Sequence, residues 1–150
     1  MEKVVETIVI DASIETVYEV VSEPHHVAQW WPDRADFRPV PGAAGSIRFG
    51  ESPDSEVVEH LTVVEATRPT RFAFRWKHPA ATAASAHNSL LVVFELVADG
   101  NRTRLTMTET GYEHLAPDAD GRELRKEHVA GWDYFLPRLA TYATTIGRST

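Results

Sequence analysis

Cysteine is missing from all 150 residues, which excludes disulfides, thiolate zinc sites and a thiol nucleophile. Long apolar runs are missing as well. Hydrophobic residues make up 43% of the chain, yet none of it approaches the roughly 20 uninterrupted apolar residues that span a bilayer. The start, Met1-Glu2-Lys3, runs straight into a strand pattern without the basic and apolar regions of a secretion signal. A soluble, cytoplasmic protein with no membrane insertion is expected. Positive charge is scarce: 15 Lys and Arg stand against 22 Asp and Glu, a net charge of -7. Such a chain repels phosphate backbones, and its basic residues are scattered, so nucleic acid is not an expected partner. Catalytic signatures are equally thin. There is no His-Glu-x-x-His, no carboxylate triplet at metal spacing and no glycine-rich phosphate loop before a helix. The Gly42 to Ser46 stretch is not a nucleophile elbow. No metal and no cofactor are expected.

What the chain does have is a strand series closed by one long helix. From Asp118 to Ile146 the residues Leu124, His128, Trp132, Phe135, Leu136, Leu139, Tyr142, Ala143 and Ile146 recur three or four apart and share one helical face. Asp133, Tyr134, Thr141 and Thr145 fall opposite. Pro137 removes one backbone bond inside that helix, so a bend is expected there. At the other end, Val4 to Ile10 reads as a β-branched first strand. Asp11-Ala12-Ser13 offers capping side chains to a short helix carrying Ile14, Val17, Tyr18 and Val21. A second short helix begins at Pro24, carries Val27, Trp30 and Trp31, and stops at Pro32. Strands are predicted over Ala35 to Pro39, Ser46 to Phe49, Val57 to Glu65, Arg71 to Lys77, Ser89 to Val97 and Arg104 to Glu109. Hairpin-length connections and helices kept to the ends of the sequence predict an antiparallel α+β fold. Residues 1–150 are expected to form one domain.

Alternation along the strands selects an interior. Phe72, Phe74 and Trp76 share one face; Val92, Phe94, Leu90 and Leu96 share another; Leu105, Met107 and Glu109 share a third. With Trp30, Ile47, Phe49, Trp132 and Phe135 they make an interior rich in large rings. It is either solid core or a pocket for a small apolar molecule, and alternation does not separate the two. Glu109 is the sharpest residue. A carboxylate on that face needs a partner or a job, since burial costs several kcal/mol otherwise. It is the best candidate for acid-base chemistry or for holding a ligand's polar head; the alternatives are a strand that ends at Thr108, leaving Glu109 in solvent, or pairing with Arg75. His25 and His26, about 100 degrees apart on a helix, are poorly placed to share a metal ion. His78, His87 and His114 read as solvated loop histidines.

Several pieces together resemble a known family: Ile10 to Tyr18, Trp30-Trp31-Pro32, Glu65 to Trp76, Thr103 to Gly111, and Gly131-Trp132. In this order they are similar to the helix-grip superfamily of START-like (SRPBCC) domains, in the branch resembling the activator of heat shock protein 90 ATPase. The resemblance implies about seven antiparallel strands curved around the C-terminal helix, with an internal cavity. The chain departs from the branch at Glu109, a position that often holds histidine. Three functions follow as expectations. They are binding of a small hydrophobic or amphipathic molecule, a cofactor-independent cyclase or dehydratase using a cavity carboxylate, and a cochaperone-like activator of a heat-shock ATPase. An exposed ring of Trp30 or Trp31 would favour a protein partner or a homodimer.

Overall fold

The computed structural model describes residues 2–115 and 119–149. Its strands are β1 (Val4–Ile10), β2 (Arg34–Asp36), β3 (Ala44–Phe49), β4 (Val57–Thr67), β5 (Arg71–His78), β6 (Leu90–Asp99) and β7 (Arg102–Thr110). The helices are α1 (Ile14–Ser22), α2 (Pro24–Trp30), α3 (Tyr112–Leu115) and α4 (Ala119–Ser149). All seven strands form one antiparallel sheet in the order β1-β7-β6-β5-β4-β3-β2. The sheet curves over α4, with α1 and α2 closing one side. This is the α+β helix-grip fold.

Local chemistry accounts for the boundaries. Ser13 caps α1 by accepting a bond from the Thr16 amide at 3.2 Å. Pro24 occupies the first turn of α2, where its missing N–H costs nothing. The strand predicted to reach Pro39 ends at Asp36, because Pro39 and Pro41 have no N–H to offer a ladder and the chain turns, with Val40 N–H bonded to the Arg38 carbonyl at 2.8 Å. The long helix passes through Gly131 and Pro137 and ends three residues beyond Ile146; its predicted first residue, Asp118, lies outside the described residues. The segment from Gly111 to Gly121, which reads as a loop in the sequence, contains α3.

The core lies between the inner sheet face and the apolar stripe of α4. Leu136, Leu139 and Ala143 are buried against Val4, Ile10, Val17 and Leu105 in one cluster. Among the described residues no helix is long and apolar enough to cross a membrane.

Candidate functional site

The deep end of the space between sheet and helix is closed. A void of only about 10 Å³ remains among Trp30, Phe72, Phe74, Phe94 and their neighbours, at the lower limit of what one water needs. The internal cavity that the resemblance implies is therefore filled at this end, and the reason lies at the end of α2. Consecutive residues on a helix point about 100 degrees apart, but Trp31 leaves the helix with φ -119 and ψ -91. Its ring consequently stacks on that of Trp30, with centroids 6.0 Å apart. Both rings are inside, at 0% and 7% exposure. Trp31 then meets Phe74, Trp76 and Trp132 at 5.7, 5.0 and 5.2 Å. Val92, Leu105 and Met107 are wholly buried in this solid part.

At the other end of α4 stands a buried carboxylate. Glu109 is 0% exposed, and strand alternation holds it beside Leu105 and Met107, as predicted. Four donors from three elements converge on it. Trp76 of β5 donates its Nε1–H to Oε2 at 2.8 Å. Trp132 and His128 of α4 approach Oε1 with Nε1 at 3.0 Å and Nδ1 at 2.7 Å. Tyr112 of α3 donates its hydroxyl to the same oxygen. Gly111, at φ +112, makes the turn that returns Tyr112 to Glu109; a Cβ there would sit 2.8 Å from the Ser89 carbonyl oxygen. Burial pushes the Glu109 carboxyl up, but the His128 bond and charge and the Tyr112 and Trp132 bonds outweigh it and hold the group below the usual carboxylate range. Burial and the Glu109 charge push the Tyr112 hydroxyl well up, so it stays a donor. Because an ionised Glu109 carries no proton, the hydrogen between it and His128 sits on Nδ1. Arg75 plays no part; it reaches the Ser85 carbonyl instead.

Above this hub lies an open cleft of about 130 Å³, lined by Trp31, Phe49, Trp76, His128, Trp132 and Phe135, with Gly131 and Glu127 at its edge. Of the predicted ligand-binding residues, Phe49, Trp76, Trp132 and Phe135 line it and Glu109 lies beneath it. Trp30, Phe72, Phe74 and Phe94 surround the closed end. Trp31, His128 and Tyr112 are the site residues that sequence reasoning did not select. His128 carried a signal, being on the apolar stripe one turn before Trp132. Tyr112 carried none, since only the Gly111 turn brings it back. A larger groove of about 400 Å³ runs between α2 and β2, but Arg34 and Arg48 on its wall are both engaged by Glu56.

The remaining histidines are dispersed. His78 is buried, not solvated, with Nε2 3.1 Å from the Thr62 hydroxyl; Lys77, at φ +70, is the extra residue of a bulge that sets His78 opposite His60, on the face of Thr62 and Arg75 and not that of Trp76. His26 Nδ1 lies 2.7 Å from the Tyr142 hydroxyl. His87 and His114 bring their rings within 5.2 Å of each other on the surface. Among the described residues no group of three or more His, Asp or Glu is placed to hold a metal ion.

No curated protein matches the chain. Solved structures do. Protein MLL2253 from Mesorhizobium loti superposes with a TM-score of 0.75 at 21% identity, covering 94% of this chain and 96% of that one. The Aha1 dimer from Colwellia psychrerythraea gives 0.70 at 17% identity, covering 93% and 94%. DynU16, from the dynemicin biosynthetic locus, gives 0.74 at 23% identity, covering 99% of this chain and 49% of that one. At these identities the likeness shows the shared fold. The sequence profile of one family matches residues 11–144, nearly the whole chain, and by that match the protein belongs to the family described as activator of Hsp90 ATPase homolog 1-like protein.

Proposed function

We propose that the protein binds one flat, apolar ring of a small molecule in the cleft above Glu109. The aromatic lining carries this reading: five large rings and one imidazole frame an opening of about 130 Å³, while the neighbouring interior around Trp30, Phe72, Phe74 and Phe94 leaves a void of only about 10 Å³. An engineered apolar cavity of roughly 150 Å³ holds one benzene. The cleft is smaller than the roughly 300 Å³ at which ordinary ligand pockets begin, so the ring enters and the rest of the molecule stays outside. An enclosed carrier for a whole lipid has no support in this interior. Nor does Glu109 suit the part of catalytic base, since four donors consume its oxygens.

Three of the four tryptophans, Trp31, Trp76 and Trp132, line the cleft, so intrinsic fluorescence reports occupancy. Titration with nitrobenzene should quench it saturably. Gly131→Leu is the decisive variant. A Cβ at Gly131 meets nothing within 4 Å, so the helix accepts the side chain, gaining up to about 1 kcal/mol from loss of the glycine, and the leucine fills the opening. Equal quenching of wild type and variant would overturn the assignment.

A homodimer is the second reading. Val5, Val9 and Val97 are exposed at 49%, 45% and 61% on the outer face of β1 and β6, and the Colwellia relative was solved as a dimer. Light scattering on Val5→Lys/Val9→Lys against wild type tests it. The heat-shock ATPase reading rests on the family name, because the tryptophans that would have offered a patch, Trp30 and Trp31, are both buried.

A further inference from the structure

We propose that the ring bound in this cleft bears an acidic hydroxyl, a phenol or an enol, and that His128 Nε2 accepts its proton. The inference rests on the binding reading above and names the ligand's polar group. Among the described rings of the cleft His128 alone keeps a hydrogen-bond acceptor, since the indole N–H of Trp31 can only donate. The indole N–H groups of Trp76 and Trp132 are both spent on Glu109. His128 spends Nδ1 there too, at 2.7 Å, and its side chain is 10% exposed. In the neutral form of the ring, with the hydrogen on Nδ1, Nε2 presents a lone pair. No other ring in the lining accepts a hydrogen bond, so a bare hydrocarbon leaves Nε2 without a partner, whereas a hydroxyl on the ring supplies one.

Proton transfer follows from what stands behind the imidazole. The ligand's O–H bond breaks, its electron pair stays on the oxygen, and the proton forms an N–H bond at Nε2. The resulting imidazolium lies between the ligand oxyanion and the Glu109 carboxylate, a chain of two charge-assisted bonds. On release the proton returns to the oxygen. The charged and titratable groups around His128 are Glu109 from β7, Tyr112 from α3 and Glu127 on its own helix at the cleft edge. Tyr112 already donates to Glu109, so it does not compete for the ligand. Glu127 at the rim repels a preformed anion, so the ligand enters as the neutral acid and ionises inside.

The test pairs two probes of one shape, 4-nitrophenol and nitrobenzene, on the intact protein. The nitrophenolate absorbs in the visible and its acid form does not, so an absorbance titration reads the bound protonation state. Expected are binding of 4-nitrophenol at least about tenfold tighter than nitrobenzene, ionisation of the bound phenol at lower pH than in buffer, and loss of that displacement in His128→Gln. Equal affinity of the two probes with no displaced ionisation would overturn the proton-acceptor assignment and leave the ring site standing. Binding of neither probe would overturn both. If His128→Gln fails to fold by circular dichroism, the wild-type probe pair still decides.

Discussion

Glu109 on β7 and Glu6 on β1 sit on adjacent strands, with Val4 opposite Glu109 and Met107 opposite Glu6, and both side chains lie under α4. Glu109 is the more deeply buried, yet its carboxyl is held below the ordinary range. Glu6 is only partly buried, yet burial first, and then the bond and charge of Asp133, raise it from 4.5 to about 7. Its Oε2 is buried with no hydrogen-bond partner. The difference teaches that donors, not depth, decide the charge state of a carboxyl beneath this helix. Four donors converge on one group; the other meets a second carboxylate, and a bond between two carboxyls exists only while one of them holds a proton.

The strongest way to break this contrast is Glu109→Ala. It strands His128 and two indole N–H groups in the core and should cost about 3 to 5 kcal/mol in urea denaturation; a loss no larger than that of Glu6→Ala would show that the hub is not structural. Glu109→Gln sharpens the point. Its amide must present N–H to at least one existing donor, so about 1 to 3 kcal/mol should be lost although shape is kept. Glu6→Gln should move the other way, gaining under about 1 kcal/mol at neutral pH, since a pair this exposed is screened. Its effect should vanish in acid.

The two groups also predict opposite pH slopes. Native Glu6 keeps its proton above the pH at which the unfolded chain loses it. Between pH 4.5 and about 7 the folded state therefore binds more protons, and stability falls as pH rises. Native Glu109 gives up its proton more readily than the unfolded chain, so its contribution is present above 4.5 and is lost as pH falls through the lowered native value. Thermal denaturation of wild type across this range, repeated with Glu6→Gln, should lose the first slope and keep the second.

Much of this was legible beforehand. Alternation put Phe72, Phe74, Trp76 and Glu109 on the inner face, and the helical stripe of α4 put His128 and Trp132 there too, because side-chain direction follows from strand and helix periods alone. The resemblance to helix-grip proteins anticipated the sheet and the closing helix. Trp31 and Tyr112 escaped, since their directions depend on a helix end at φ -119 and on the φ +112 turn at Gly111. His78 escaped because the bulge at Lys77, with φ +70, breaks the alternation that Trp76 begins and turns His78 to the face of Thr62.

By itself the sequence determined which faces are apolar and in what order the elements run, because those depend on residue type and spacing along the chain. Only the tertiary structure decided that the hollow is filled at one end and open at the other, and that Glu109 meets four donors. Those outcomes depend on distances between rings and polar atoms on separate elements, which no local period encodes.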